Sequence, residues 1–217
     1  MPDQISSGPL IAVLDYGIGN LRSAQKALQH VGADARLTAD PGLIREARAV
    51  VLPGVGSFGA CMAALRLAGL ADITSAAALD DRPFLGVCVG MQMLFEGSDE
   101  SPEAQGLGIV TGRVRLIPGD VKRPQMQWNL LESRQSSPLI GPGPQWMYFV
   151  HSYAAECDPD VVVATCNYGS DVVAMIDAGH SCWATQFHPE KSAHDGLALL
   201  TAFVELAGAT ADDGGQR

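Results

Sequence analysis

Three short stretches of this sequence set reactive residue types beside glycines or strand ends. The first is Gly86-Val87-Cys88-Val89-Gly90, between a buried apolar run and a helical one. It has the G-x-nucleophile-x-G form of a strand-to-helix elbow, with cysteine as the nucleophile. Glycines on both sides remove side chains that would collide with the sheet and the helix. A helix N-terminus next to Cys88 favours thiolate over thiol, and a free cysteine, with a pKa of about 8.5, needs that help at neutral pH. A cysteine ending a core strand can equally be simple packing, so the elbow alone does not decide.

The second stretch is Gln186-Phe187-His188-Pro189-Glu190. Strand alternation puts Cys182, Ala184, Gln186 and His188 on one face, and Trp183, Thr185 and Phe187 on the other. Pro189 ends the strand, leaving His188 at its tip with Glu190 just beyond. A histidine so placed can take a proton from a thiol and return it to a leaving amine, and a nearby carboxylate fixes its tautomer and steadies its cation. Together with the elbow this is a constellation for acyl transfer through a thioester.

The third is Leu52-Pro53-Gly54-Val55-Gly56-Ser57-Phe58, where glycines let backbone N–H groups approach a ligand. Such a loop can hold a phosphate or a developing oxyanion. It matches neither G-x-x-x-x-G-K-[ST] nor G-x-G-x-x-G. Gly17-Ile18-Gly19-Asn20 also misses the dinucleotide pattern, because Arg22 stands where the third glycine belongs. The other histidines His30, His180 and His194 read as ordinary polar positions.

The elements that must position these groups follow from the apolar pattern. Strands are expected at Leu10–Tyr16, Ala35–Leu37, Ala49–Leu52 and Phe84–Val87. Helices are expected at Leu21–Val31, Leu43–Ala47, Ser57–Leu67, Ala71–Leu79 and Gly90–Phe95. Alternating strand and helix with near-continuous apolar strands predicts a parallel sheet covered on both faces. After about Gly106, short runs at Arg113–Ile117, Trp146–Val150, Val161–Cys166, Val172–Asp177 and Cys182–Phe187 are separated by Gly, Pro, Ser and Asp clusters. They predict antiparallel strands that extend the sheet or form a small second one. Ser137–Pro144 reads as a loop, Gly196–Leu206 as a closing amphipathic helix and Gly208–Arg217 as a frayed polar tail. The fold class is thus α/β, a mostly parallel central sheet flanked by helices with an antiparallel extension.

The 217 residues suit one domain, and a formal net charge of −10 argues against non-specific binding to nucleic acid. No basic segment followed by an apolar one opens the chain, and no run of about 18 apolar residues occurs, so neither a signal peptide nor a membrane span is expected. The five cysteines are spread without a C-x-x-C pair, which points away from disulfides and zinc and towards a reducing cytoplasm.

Read in order, Pro53-Gly54-Val55-Gly56, Gly86-Val87-Cys88-Val89-Gly90-Met91-Gln92 and Gln186-Phe187-His188-Pro189-Glu190 resemble the class I (triad) glutamine amidotransferases, which are flavodoxin-like in fold. Asp15-Tyr16-Gly17-Ile18-Gly19-Asn20, Trp128-Asn129, Tyr148-Phe149-Val150-His151-Ser152-Tyr153 and His188-Pro189-Glu190-Lys191-Ser192 look like the glutaminase subunits of imidazole glycerol phosphate synthases. The resemblance spans about residues 10 to 205. It implies a catalytic triad of Cys88, His188 and Glu190, and oxyanion donors from the backbone of Val89 and of Gly54 and Val55. It implies glutamine held near Gly56, Gln92, Glu100, Ser152 and Tyr153, with no metal or organic cofactor. It divides the chain into an N-terminal extension (1–9), a single amidotransferase domain (10–207) and a disordered tail (208–217). The partner implied is a separate (β/α)8-barrel cyclase in a heterodimer, itself about 250 residues and so too large for this chain to contain. That partner would use the ammonia to make imidazole glycerol phosphate and an aminoimidazole carboxamide ribonucleotide in histidine biosynthesis. Glutaminases of GMP, anthranilate or pyridoxal phosphate synthesis, and a catalytically silent module on the same fold, are the alternatives. One departure stands out: these subunits usually carry Gly-Trp-Asn where this chain has Gln127-Trp128-Asn129.

Overall fold

A computed structural model describes residues 8–209 of the chain. In order the elements are β1 (Leu10–Leu14), α1 (Leu21–His30), β2 (Asp34–Thr38), α2 (Pro41–Glu46), β3 (Ala49–Gly54), α3 (Phe58–Leu67) and α4 (Ala71–Ala78). Then come β4 (Phe84–Cys88), α5 (Val89–Gln92), β5 (Phe95–Ser98), β6 (Ser101–Gln105), β7 (Val110–Leu116), β8 (Gln125–Leu130) and β9 (Glu132–Ser133). The chain closes with β10 (Trp146–His151), β11 (Tyr153–Cys157), β12 (Val162–Asn167), β13 (Asp171–Asp177), β14 (Cys182–Thr185) and α6 (Ala193–Ala209).

The main sheet runs β2-β1-β3-β4-β14-β13-β12-β9. Its first five strands are parallel: β1 to β4 are each joined to the next by a crossover segment long enough to return over the sheet, and β14, reached through the later strands, lies parallel to β4. The runs LIAVL, AVVLPG and FLGVC are buried at nearly every position, as strands covered on both faces must be. The links from β12 to β13 and from β13 to β14 are too short for a crossover, so those strands turn back antiparallel. Helix α1 packs on α6, and α2 on α4.

The expected strand at Arg113–Ile117 falls in β7, which begins earlier and stops at Leu116, in a second sheet of order β11-β7-β5-β6. That at Trp146–Val150 lies in β10, which among the described residues pairs only with β8. Several expectations fail. Gly90–Phe95 is not a helix: α5 is a single turn, and Phe95 opens β5, which pairs with β6 and β7. Met93, Leu94 and Phe95 are wholly buried, and so short an apolar run does not distinguish helix from strand until its partners are known. The strand expected to reach Phe187 stops at Thr185, and the closing helix is longer than expected, taking in Gly208 and Ala209. Nearly all of the N-terminal extension and the remainder of the polar tail lie outside the described residues. Among the described residues no single helix is long and apolar enough to cross a membrane.

Candidate active site

Three adjacent parallel strands end at one edge of the sheet. Gly54 at the end of β3 is level with Cys88 at the end of β4, and Val87 is level with Thr185 of β14. The carboxyl ends of parallel strands are where ligand sites of α/β sheets form. Here they gather the elbow, the glycine loop and the His-Pro-Glu stretch.

The elbow is strained as its form requires. Cys88 has φ 55° and ψ −112°, a conformation costing an L-residue about 1–3 kcal/mol. Two glycines make the turn possible by close approach. A Cβ on Gly90 would sit 1.9 Å from the Leu52 carbonyl oxygen, and one on Gly54 would sit 2.6 Å from the Gly90 nitrogen. Both obstacles are backbone, so no rotamer change relieves them. Gly90→Ala is therefore expected to push α5 off β3 and to cost about 3 kcal/mol or more of stability, at the upper end of overpacking penalties. A urea midpoint equal to the wild type's would contradict this packing argument.

His188 is buried and its Nδ1 lies 2.8 Å from Glu190 Oε1. The turn Pro189–Lys191 brings the two side chains together, and their side chains are only 2% and 4% exposed. The stretch is clamped from behind: His188 N–H donates to the Tyr148 carbonyl, Ser192 Oγ donates to the His188 carbonyl, and Tyr148 N–H donates to Ser192 Oγ. Burial disfavours the His188 cation, but hydrogen bonds to Cys88 and Glu190, and the attraction of both, outweigh it and raise its pKa to about 9. The imidazole is thus protonated at neutral pH, with its two ring nitrogens turned to the Cys88 sulfur and the Glu190 carboxylate.

The glycine loop is anchored at several points. Tyr16 Oη donates to the Pro53 carbonyl at 2.5 Å, and Cys61 Sγ to the Val55 carbonyl at 3.2 Å. Burial holds both Tyr16 and Cys61 above their ordinary pKa, so both remain donors. Ser57 caps α3, and Glu100 Oε2 accepts the Phe58 N–H at 2.8 Å. Residue type alone assigns this anchoring role to neither Tyr16 nor Cys61. The signal for Cys61 is its position one turn into the helix that follows the loop.

A cleft of about 320 Å³ opens beside Cys88, lined by Val55, Gly56, Val89, Gln92, Glu100 and Lys191 among others. Ser152, Tyr153 and His188 also line it, so all the expected substrate-side residues meet at one place. Its volume is at the small end of ligand pockets, roughly 300–1,000 Å³, and suits a free amino acid. Glu190 and Gly54 are not among the residues that line it. His151, a neighbour not expected individually, also lines it. Burial drives the His151 pKa down to about 4, against the hydrogen bond to the Tyr153 carbonyl and helped by the His188 charge, so this ring is neutral where His188 is charged.

The model of the family "Glutamine amidotransferase class-I" matches residues 12–206. The chain is 48% identical to imidazole glycerol phosphate synthase subunit HisH of Methanothermobacter thermautotrophicus, over 91% of this chain and 98% of that one. It is 44% identical to the HisH subunit of Lactiplantibacillus plantarum, over 92% and 97% of the two chains. The chain belongs to the HisH family of class I glutamine amidotransferases.

Solved structures show the same fold at greater distance. A glutamine amidotransferase crystal structure superposes with TM-score 0.72 at 22% identity, covering 91% of this chain and 98% of that one. A chain of the PurLQS structure from Thermotoga maritima gives 0.73 at 18% identity, again covering 91% and 98%. Membership of the HisH family separates this chain from amidotransferases that share only its architecture. Its departure at Gln127 is exposed, and by strand alternation lies on the face of β8 opposite Trp128.

Proposed function

We propose that this protein hydrolyses glutamine to glutamate and ammonia and delivers the ammonia to a separate barrel cyclase in histidine biosynthesis. The observation that carries this reading is the buried Cys88–His188–Glu190 constellation facing an amino-acid-sized cleft. The Cys88 sulfur attacks the side-chain amide carbon. The resulting oxyanion is met by the Val89 N–H and by an N–H of the Gly54–Val55 region. The His188 imidazolium gives its proton to the amide nitrogen, the C–N bond breaks, and ammonia leaves a glutamyl thioester on Cys88. Neutral His188 then takes a proton from water, the hydroxide attacks the thioester, and the thiolate departs with glutamate formed. Glu190 keeps the His188 ring turned and steadies its charged form. Glu100, half-buried with one oxygen on the Phe58 N–H, offers its charge to the substrate's ammonium; Gly56, Ser152 and Tyr153 supply polar backbone around the rest.

The partner's seat is proposed on the outer face of the β8–β10 pair. Met126, Trp128 and Trp146 are 61%, 45% and 51% exposed there, and Trp128 stacks edge-on against Tyr148. Val150, level with Met126, and Pro124 join this face to the rim of the cleft. Ammonia released into water at neutral pH becomes ammonium, a poor nucleophile, so a seat touching the cleft keeps it useful. Gln127 points from the other face and leaves this surface intact.

Adding the cyclase and its nucleotide substrate is expected to give imidazole glycerol phosphate from glutamine. A cyclase that makes product with ammonium salts but none with glutamine and this chain would overturn the reading. The Gly54–Val55 peptide, between two anchored carbonyls, is proposed as a gate that turns its N–H into place when the loaded partner docks. Glutamine hydrolysis is then expected to rise when partner and nucleotide are added, and equal rates in both conditions would sink the gate.

A further inference from the structure

Behind Cys88 lies a chain of buried hydrogen bonds whose direction is set at its far end. The Tyr153 backbone carbonyl can only accept. It lies 3.0 Å from Gln92 Nε2 and 2.8 Å from His151 Nδ1, so Gln92 turns its NH2 group, and His151 its Nδ1–H, towards that oxygen. Gln92 Nε2 also lies 3.0 Å from Gln186 Oε1, which engages its second hydrogen. Gln186 therefore shows its carbonyl to Gln92 and its NH2 to the other side, where Nε2 lies 3.8 Å from Cys88 Sγ. Flipping either amide sets oxygen against oxygen or N–H against N–H. Gln92 is 3% exposed and Gln186 is wholly buried, so water cannot rescue a wrong orientation.

We propose that Gln186 is a positioning residue for the nucleophile, directing an N–H at the Cys88 sulfur and favouring thiolate over thiol. This rests on the proposed function, in which Cys88 attacks glutamine. His188 already faces the sulfur as a charged donor, and Tyr16 and Cys61, both held neutral by burial, lie nearby. A second donor counts because α5 is a single turn, so little helix dipole accumulates at the sulfur, and Cys88 is itself only 4% exposed. An N–H favours a charged acceptor over a neutral one, so its energy goes mainly to the thiolate. The same chain fixes how Gln92 meets substrate. With both hydrogens engaged, it offers the cleft only its carbonyl, an acceptor suited to an ammonium group.

The test is the pH dependence of Cys88 alkylation by iodoacetamide, followed on the Cys88 peptide by mass spectrometry, with the full chain and neither glutamine nor partner present. Gln186→Met, of similar length but without a donor, is expected to move the midpoint up by about one pH unit. At neutral pH its glutamine turnover is expected to fall about ten-fold in the presence of the partner. Gln186→Glu, nearly isosteric, sets a carboxylate beside the sulfur and is expected to move the midpoint further up. It serves alone if Gln186→Met does not fold. A midpoint unchanged in the folded variants overturns the inference while Cys88 stays the nucleophile. Wild-type Cys88 reacting no faster than half-buried Cys157 at neutral pH overturns the nucleophile assignment, and this inference with it.

Discussion

Cys88→Ala is expected to abolish glutamine hydrolysis, by at least about 10⁴-fold, in a chain that still folds. The loss is large because the thioester route has no substitute: no other side chain carries a nucleophile at the end of β4, and neutral water attacks amides slowly. Folding survives because the elbow is held by backbone contacts of Gly54 and Gly90, not by the sulfur. Alanine keeps the strained φ of 55°, whereas glycine accepts it freely. Cys88→Gly is therefore expected to be more stable than Cys88→Ala by about 1 kcal/mol or more, as backbone strain is released. Thermal denaturation of the two variants reads this difference, and an order reversed between them would show that the strain is absent. The cyclase bound to Cys88→Ala is still expected to use ammonium salts, since Cys88 lines the cleft and is not part of the proposed docking face. A variant that keeps more than about a thousandth of wild-type turnover would remove Cys88 from the mechanism.

The parts of this site that are legible in the sequence are those whose geometry is local. The elbow needs only Gly86, Cys88 and Gly90 within five positions of one turn, and the His188–Glu190 contact spans two residues. The parallel core follows from the apolar runs of β1, β3 and β4, buried on both faces. What is hidden depends on partners far along the chain. Phe95–Ser98 is a strand because β6 and β7 supply its hydrogen bonds, and its four residues alone do not choose. In the sequence, Gln186 is only a residue sharing a face with His188. Its amide is turned towards Cys88 by Gln92, 94 positions away in sequence, which in turn is fixed by Tyr153, 61 positions away. Strand alternation gives such a residue its face, and the hydrogen-bond chain gives the amide its direction. His151 is hidden for the same reason. Its neutral ring comes from burial, aided by the His188 charge and against the Tyr153 carbonyl, whereas His188, in the same cleft, is charged because it meets the Cys88 sulfur and a carboxylate.

That contrast makes His188 and Glu190 the site of the second large effect. In the proposed mechanism His188→Ala removes both the proton donor to the leaving nitrogen and the base for thioester hydrolysis, and it is expected to cost about 10³–10⁴-fold in turnover. Glu190→Gln keeps the shape but exchanges a carboxylate for a neutral amide, with an expected loss of about 10²-fold at neutral pH. Its direction in pH follows from the charges. Glu190 raises the His188 pKa, and the raised value of about 9 means that the protonated ring needed for ammonia release persists through neutral pH and is lost as pH rises through that value. The wild-type rate is therefore expected to hold at neutral pH and to fall on its alkaline side near 9. In Glu190→Gln the burial that opposes the cation is less well offset, so the fall must begin at lower pH. Profiles of kcat/KM against pH for the two proteins, measured with the partner present, decide the matter. An alkaline limb that stays in place in Glu190→Gln would mean that Glu190 does not sustain the charged ring. The burial of its carboxylate against His188 would then be packing alone.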